Sequence, residues 1–353
     1  MSDEHLAELI AAPQQAPRPL PLFLELLRSE TAASPQRRAA ALAGLRAYQS
    51  ADRGAARPVP SSLAQSGRAR LRDYGGSGRP VVFVPSLINP PFILDLSEEN
   101  SLIRFVETRG FRPFLVDWGD PEPGDRDQDV TAHVEQLLLP LLDVFDEPPV
   151  LIGYCLGGTM ALAAACARPV AGLCLIASPW RFSGFGPMLE KIDAIWQQAE
   201  PMCAKLGLVP MEVLQAGFWT LDPARTVAKF ERFARIEPGS KAAREFVTLE
   251  DWANAGAPLT YAAGRQMFDD FFVADVPGNG RWRVGGAVAD PRRLTCPATQ
   301  FVSATDRIVP AASAARIGRR APLRAGHVGM LVGSQARTRL WNPMLQWLRG
   351  LPR

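Results

Sequence analysis

Lysine is nearly missing from this chain of 353 residues: there are four, Lys191, Lys205, Lys229 and Lys241, against 39 basic residues in all. Histidine is scarcer still, with only His5, His133 and His327. The net charge is just +3, which gives no case for a nucleic-acid partner, and none is expected. Three scattered histidines, with no acids at ligand spacing, exclude a recognisable metal site, so no metal is expected. Five cysteines, at 155, 166, 174, 203 and 296, form neither a paired ladder nor a C-x-x-C motif, and the acidic start Met1-Ser2-Asp3-Glu4 carries no signal peptide. A disulfide scaffold is thereby excluded, and a reducing, cytoplasmic location is expected. One charge-free run, Pro148 to Ala167, reaches 20 residues, the length of a membrane span. Its two prolines and three glycines argue instead for a strand, a sharp turn and a helix, and no membrane span is expected.

That run is also the most informative part of the chain. Pro149-Val150-Leu151-Ile152 is apolar and branched, as in a strand buried on both faces. Thr159 to Ala167 is alanine-rich and helical in character. Between them Gly153-Tyr154-Cys155-Leu156-Gly157-Gly158 puts a cysteine on the corner where a strained strand-to-helix turn displays a catalytic nucleophile. Such a turn needs small residues two positions before and after the nucleophile. Gly153 and Gly157 supply them, and Gly158 extends the set. The N-terminus of the following helix aims backbone N–H groups and its positive dipole end at the sulfur, favouring the thiolate. Alone the pattern is weak, because glycine and cysteine are both ordinary in apolar cores.

The rest of the chain strengthens it. An α/β-hydrolase places its acid and then its histidine after the nucleophile, each on a loop that follows a late strand. Ala298 to Ser303 reads as such a strand and leads to Asp306; His327 follows 21 positions later. His5 lies in a segment without a core signature, and His133 lies in Val130 to Leu142, an amphipathic helical pattern where a structural role is the simpler reading. Asp306 also has a plainer reading, as the cap of a helix expected over Ala311 to Arg320. Order and spacing favour Cys155, Asp306 and His327 as a triad. The oxyanion donors are expected to be the backbone N–H of Leu156 and that of Leu87 or Ile88, in the loop after the first core strand.

From about residue 80 onward the chain resembles the polyhydroxyalkanoate synthases, in particular their short, class III-like catalytic subunits. The resemblance rests on Val84-Pro85-Ser86-Leu87-Ile88-Asn89 with Ile93-Leu94-Asp95-Leu96 and Asn100-Ser101-Leu102, and on Val116-Asp117-Trp118-Gly119-Asp120-Pro121 with Asp125-Arg126. In the inserted region it rests on Phe246, Leu249-Glu250-Asp251-Trp252 and Arg265-Gln266-Met267-Phe268. The family's Cys-Asp-His triad falls on Cys155, Asp306 and His327, the residues already chosen. The resemblance implies polymerisation of 3-hydroxyacyl-coenzyme A into polyester, with coenzyme A released through an acyl-cysteine. It implies no separate cofactor, since coenzyme A is part of the substrate. It further implies a polyester chain or granule surface, and a partner subunit or a homodimer, as partners. Two departures stand out: Phe271 to Pro277 replaces a stretch with tyrosine and asparagine, and Ser86 stands where a second proline is common. The same triad would also serve a cysteine hydrolase, such as a depolymerase or thioesterase, and the fold alone would serve a non-catalytic granule-binding subunit. Whether Asp306 orients His327 or helps activate the attacking 3-hydroxyl stays open.

Strands at about 80–85, 112–117, 149–154, 171–177 and 298–303 alternate with helices, the sign of a mainly parallel, doubly wound α/β sheet. The expected organisation is a helical N-terminal arm over 1–74, an α/β-hydrolase core over 75–179 and 287–353, and a mostly helical cap over 180–286. The arm, with helical patterns at Leu20 to Arg28 and Pro35 to Tyr48, reads either as helices packed on the core or as a surface for a partner or a granule. All four lysines fall in the cap, where phosphate binding competes with ordinary solvated helix faces.

Overall fold

A computed structural model describes residues 15–55 and 57–352. The chain divides into two units, Pro58–Leu214 with Gly256–Arg353, and Met1–Arg57 with Gln215–Ala255. His5 lies outside the described residues.

The first unit is built on an eight-stranded sheet. Its strands are β1 (Ser62–Ser66), β2 (Ala69–Asp73), β3 (Pro80–Val84), β4 (Arg112–Asp117), β5 (Val150–Tyr154), β6 (Gly172–Ile176), β7 (Ala298–Ser303) and β8 (Arg319–Leu323). Their order across the sheet is β1-β2-β4-β3-β5-β6-β7-β8. The pairs β1/β2 and β2/β4 are antiparallel, and every other neighbouring pair is parallel. All five residues of β5 and of β6 are buried, which is why these central strands read as unbroken apolar runs rather than alternations. Carboxyl ends of parallel strands gather on one edge of such a sheet, and β5, β7 and β8 bring their loops there.

Three strands escape the reading from sequence. β1 and β2 fall inside the segment expected to be a helical arm. Their composition is polar: in β2 only Ala69 and Leu71 are buried, and Arg72 and Asp73 are used in ion pairs. Arg72 donates to Asp117 at 2.7 Å and Arg112 to Asp73 at 2.6 Å, fastening β2 to β4. β8 replaces the helix expected over Ala311 to Arg320. Only a tight turn forms, at Ala311–Ser313, and Gly318 at φ +47° redirects the chain into an edge strand. Exposed Arg319 and Arg320, with Pro322, suit an edge that must not pair further. The 130–142 segment is helical, with a π turn at His133–Leu138. Pro140 frees the carbonyl of Gln136 four residues back, and Ser66 Oγ on β1 donates to it at 2.7 Å.

The second unit pairs sequence segments about two hundred residues apart. Helices Leu20–Glu30 and Pro35–Gln49 pack with Pro223–Phe233 and Lys241–Asn254 around Phe23, Leu45, Tyr48, Trp219, Phe230 and Val247. Phe23 meets Trp219 and Phe230 edge to face, at 5.6 and 5.1 Å between centroids. A Cβ at Gly44 would lie 1.9 Å from the Phe230 carbonyl oxygen, so a glycine is required for the helices to come this close. The family-like residues of the inserted region serve this joint. Asp251 accepts from Tyr48 Oη at 2.7 Å and from Arg53 Nε at 3.0 Å, and Asn254 Oδ1 accepts from Arg18 N at 3.3 Å. Glu250, buried, receives Lys229 at 2.6 Å, so that lysine is spent on the fold. The expected boundaries shift accordingly: 15–55 joins the middle of the expected cap, and the rest of that cap joins the sheet unit. There Trp196 stacks on Phe268 at 4.7 Å and donates to Asp269 at 2.8 Å.

Candidate active site

The chain leaves β5 at Tyr154 and turns directly into the helix Leu156–Ala167. Cys155 forms the corner with φ 55° and ψ −131°, a conformation costly for any side-chain-bearing residue. Neighbouring backbone over-determines it. Cys155 N donates to Ile176 O on β6 at 3.0 Å, and Gly158 N donates to Cys155 O at 2.9 Å. A Cβ on Gly153 would lie 2.3 Å from Gly158 Cα, and one on Gly157 would lie 2.2 Å from the Val84 carbonyl oxygen. The expected small residues are therefore needed for two different reasons. The first pair lets strand and helix close on each other, and Gly157 lets the helix start lie against the end of β3.

His327 and Asp306 reach the same place from the loops after β8 and β7. Asp306 is buried; its Oδ1 accepts from the backbone N–H of Ile308 at 2.8 Å and Val309 at 3.0 Å, and its Oδ2 accepts from His327 Nδ1 at 2.7 Å. Asp306 caps its own turn and orients the imidazole together, so the plainer reading and the functional one coexist. Burial alone would push His327 down. The negative charge of Cys155 outweighs it first, aided by hydrogen bonds to Asp306 and Cys155, and holds the imidazole well above its usual range. The described structure thus brings Cys155, His327 and Asp306 together.

Residues that sequence reasoning passed over complete the arrangement. Tyr154 stacks on the His327 ring at 5.0 Å with 30° between planes, and its hydroxyl donates to the His327 carbonyl at 3.5 Å. Ser303, at the end of β7, donates to Ala325 O at 2.6 Å and accepts from Ala325 N at 3.2 Å, tying the histidine's loop to the aspartate's. Tyr154 occupies a variable position of the Gly-x-Cys-x-Gly pattern, and Ser303 reads as an ordinary strand residue, so neither carries a local signal. Leu156 opens the helix, where the first N–H groups lack intrahelical acceptors. The loop after β3 is anchored at Pro85 O, which accepts from Trp118 Nε1 at 3.1 Å. Ile88 N in that loop donates to Ser86 Oγ at 3.3 Å.

The remaining sequence candidates lie elsewhere. His133 is buried, with Nδ1 donating to Asp129 O at 2.7 Å and Nε2 receiving Arg68 at 2.6 Å, and burial pushes it down to about 4. Burial likewise pushes the thiols of Cys166, Cys174, Cys203 and Cys296 up, Cys166 to about 12. Among the described residues no group of His, Cys, Asp and Glu is placed to hold a metal, and no helix is long and apolar enough to cross a membrane.

Comparison with known proteins extends these findings. The poly(3-hydroxyalkanoate) polymerase subunit PhaC of Haloferax mediterranei is 27% identical over 285 residues, 76% of this chain and 58% of that protein. The subunit of the same name from Synechocystis sp. is 26% identical over 291 residues, 76% of this chain and 77% of that protein. The chain spans less than two thirds of the haloarchaeal relatives it matches, 58% of one and 60% of another from Haloarcula marismortui. Epoxide hydrolase A of Mycobacterium thermoresistibile is similar over 84% of this chain and 99% of its own, with 18% identity and a TM-score of 0.48. The model of the alpha/beta hydrolase family matches residues 81–339. With most of its length matched by that model, and a parallel sheet carrying a strained Cys155 turn, the chain belongs to the alpha/beta hydrolase family.

Proposed function

We propose that this chain is a polyhydroxyalkanoate synthase, an acyltransferase that polymerises 3-hydroxyacyl-coenzyme A through an acyl-cysteine. The observation that carries the reading is a cysteine on the strained turn after β5, beside a buried His327–Asp306 pair. The similarity to the polymerase subunits supplies the substrate class.

His327 takes the Cys155 proton, and the sulfur attacks the thioester carbonyl. The resulting oxyanion is met by the N–H of Leu156 and by the loop after β3, donors of a kind worth about 2.7–4 kcal/mol each. Collapse breaks the carbon–sulfur bond to coenzyme A, whose thiolate leaves with the proton from His327. The 3-hydroxyl of a second substrate then attacks the acyl-cysteine, its proton passes to His327, and the Cys155 sulfur departs. The ester is longer by one unit and the proton count is restored. Asp306 spends its oxygens on His327 and on its own loop, which supports the orienting role over direct activation of the hydroxyl. No further cofactor enters these steps. A polyester chain or granule surface and a partner subunit or second copy belong to the same proposal.

The test is to incubate the purified protein with 3-hydroxybutyryl-coenzyme A and analyse both products. Insoluble polyester with stoichiometric coenzyme A supports the proposal. Free 3-hydroxybutyrate as the sole acyl product would show that water resolves the acyl-cysteine and that the chain is a hydrolase.

A further inference from the structure

The loop after β3 contains a device that the triad does not use. Val84 and Pro85 are pressed against the helix start at Gly157, and Trp118 holds Pro85 O. Beyond that point Ser86, buried, turns its hydroxyl to accept the N–H of Ile88 at 3.3 Å. The carbonyl of Ile88, in the following peptide, lies near Gly256, which has φ +140°; a Cβ there would lie 3.0 Å from Ile88 O and 3.3 Å from Met211 Cγ. The Ile88 N–H is thus drawn back into its own turn while its carbonyl is backed by Gly256. Among the described residues the N–H of Leu87 makes no hydrogen bond.

We infer that Ser86 is a positioning residue: by holding the Ile88 N–H, its hydroxyl shapes the 86–88 turn so that Leu87 N–H, rather than Ile88 N–H, is the loop's oxyanion donor. The inference rests on the acyl-cysteine mechanism proposed above. It depends on chemistry, because a serine hydroxyl that accepts from the N–H two residues on makes a local turn without help from any strand. Gly256 lies behind the next peptide of the loop, where a side chain would press on the Ile88 carbonyl oxygen.

An experiment separates this role from general support of the site. Alkylation of Cys155 by iodoacetamide develops no oxyanion, whereas acylation by p-nitrophenyl butyrate or by 3-hydroxybutyryl-coenzyme A does. Ser86→Ala is expected to lower kcat for acylation roughly tenfold, a part of the hundredfold or more that a whole donor contributes, with KM and the alkylation rate unchanged. Ser86→Thr, which keeps the hydroxyl, is expected to stay near the parent. Acylation by Ser86→Ala at the parental rate overturns the inference. So does an equal loss of alkylation, or a Ser86→Thr variant as slow as Ser86→Ala. A parent that is acylated by the nitrophenyl ester but releases no coenzyme A from 3-hydroxybutyryl-coenzyme A would instead overturn the proposed substrate, leaving the Ser86 comparison intact.

Discussion

The two units of this chain solve the problem of order in opposite ways. In the sheet unit, the site is assembled from short local devices: an apolar strand, a glycine-flanked corner, an aspartate that caps its own turn. In the helical unit almost nothing is local. Its core exists only because Phe23 and Tyr48 meet Phe230 across nearly two hundred residues, sealed by Asp251 on Tyr48 and Arg53. Chemistry has been placed where close-range geometry is dictated by the backbone. The helical unit depends on long-range packing, which is stable but leaves no short signature.

The sharpest test of that division is Cys155→Ala, expected to abolish coenzyme A release while leaving the thermal transition of the helical unit in place; Cys155→Ser should retain at most a trace. Activity near the parental level would break the assignment of chemistry to the sheet unit. Phe230→Ala comes next. Its ring is fully buried, so a loss of about 3–5 kcal/mol is expected in urea denaturation. Alkylation of Cys155 should be unaffected under native conditions. Deleting residues 1–70 is the cruder version: it removes β1, part of β2 and half of the helical core, and is expected to give insoluble protein rather than a trimmed enzyme.

The histidines sharpen the comparison through pH, because neither His133 nor His327 lies in the helical unit. His133 titrates at about 4 when folded and near 6.5 when unfolded. Between those values the unfolded chain holds a proton that the folded one does not, so stability falls as pH drops through that window, by up to about 3 kcal/mol. His327 is shifted upward, and its contribution is therefore present below the unfolded value and lost as pH rises through the folded one. The sheet unit should weaken at both ends, and His133→Gln should flatten the acid limb alone; an acid limb of unchanged slope would refute that account of His133. The smallest effect is in thiol labelling. Cys155 is expected to be alkylated ahead of Cys166, Cys203 and Cys296, all held back by burial, as peptide mapping after brief iodoacetamide treatment would show.

What could be read from the chain follows the same division. Val150 to Gly158 announces strand, corner and helix because each step has a residue-level cause, and the Asp306 and His327 loops follow from strand order. β2 escaped because its apolar alternation is limited to Ala69 and Leu71, while Arg72 and Asp73 pair with Asp117 and Arg112 of β4. β8 escaped because Ala311 to Arg320 has helical composition and only Gly318 interrupts it. The choice between Leu87 and Ile88 could not be made from residue types, since it depends on a hydroxyl turning back on its own loop.

His327 is gripped on three sides: by the Tyr154 ring against its face, by Asp306 at Nδ1 and by the Ser303 clasp on its loop. A ring held in this way cannot swing between two stations. Any reaction that needs a proton collected at one moment and returned at the next must bring its successive donors and acceptors to one immobile nitrogen. Traffic at this site is therefore the task of the visitors, each of which has to present its own donor or acceptor to that fixed nitrogen.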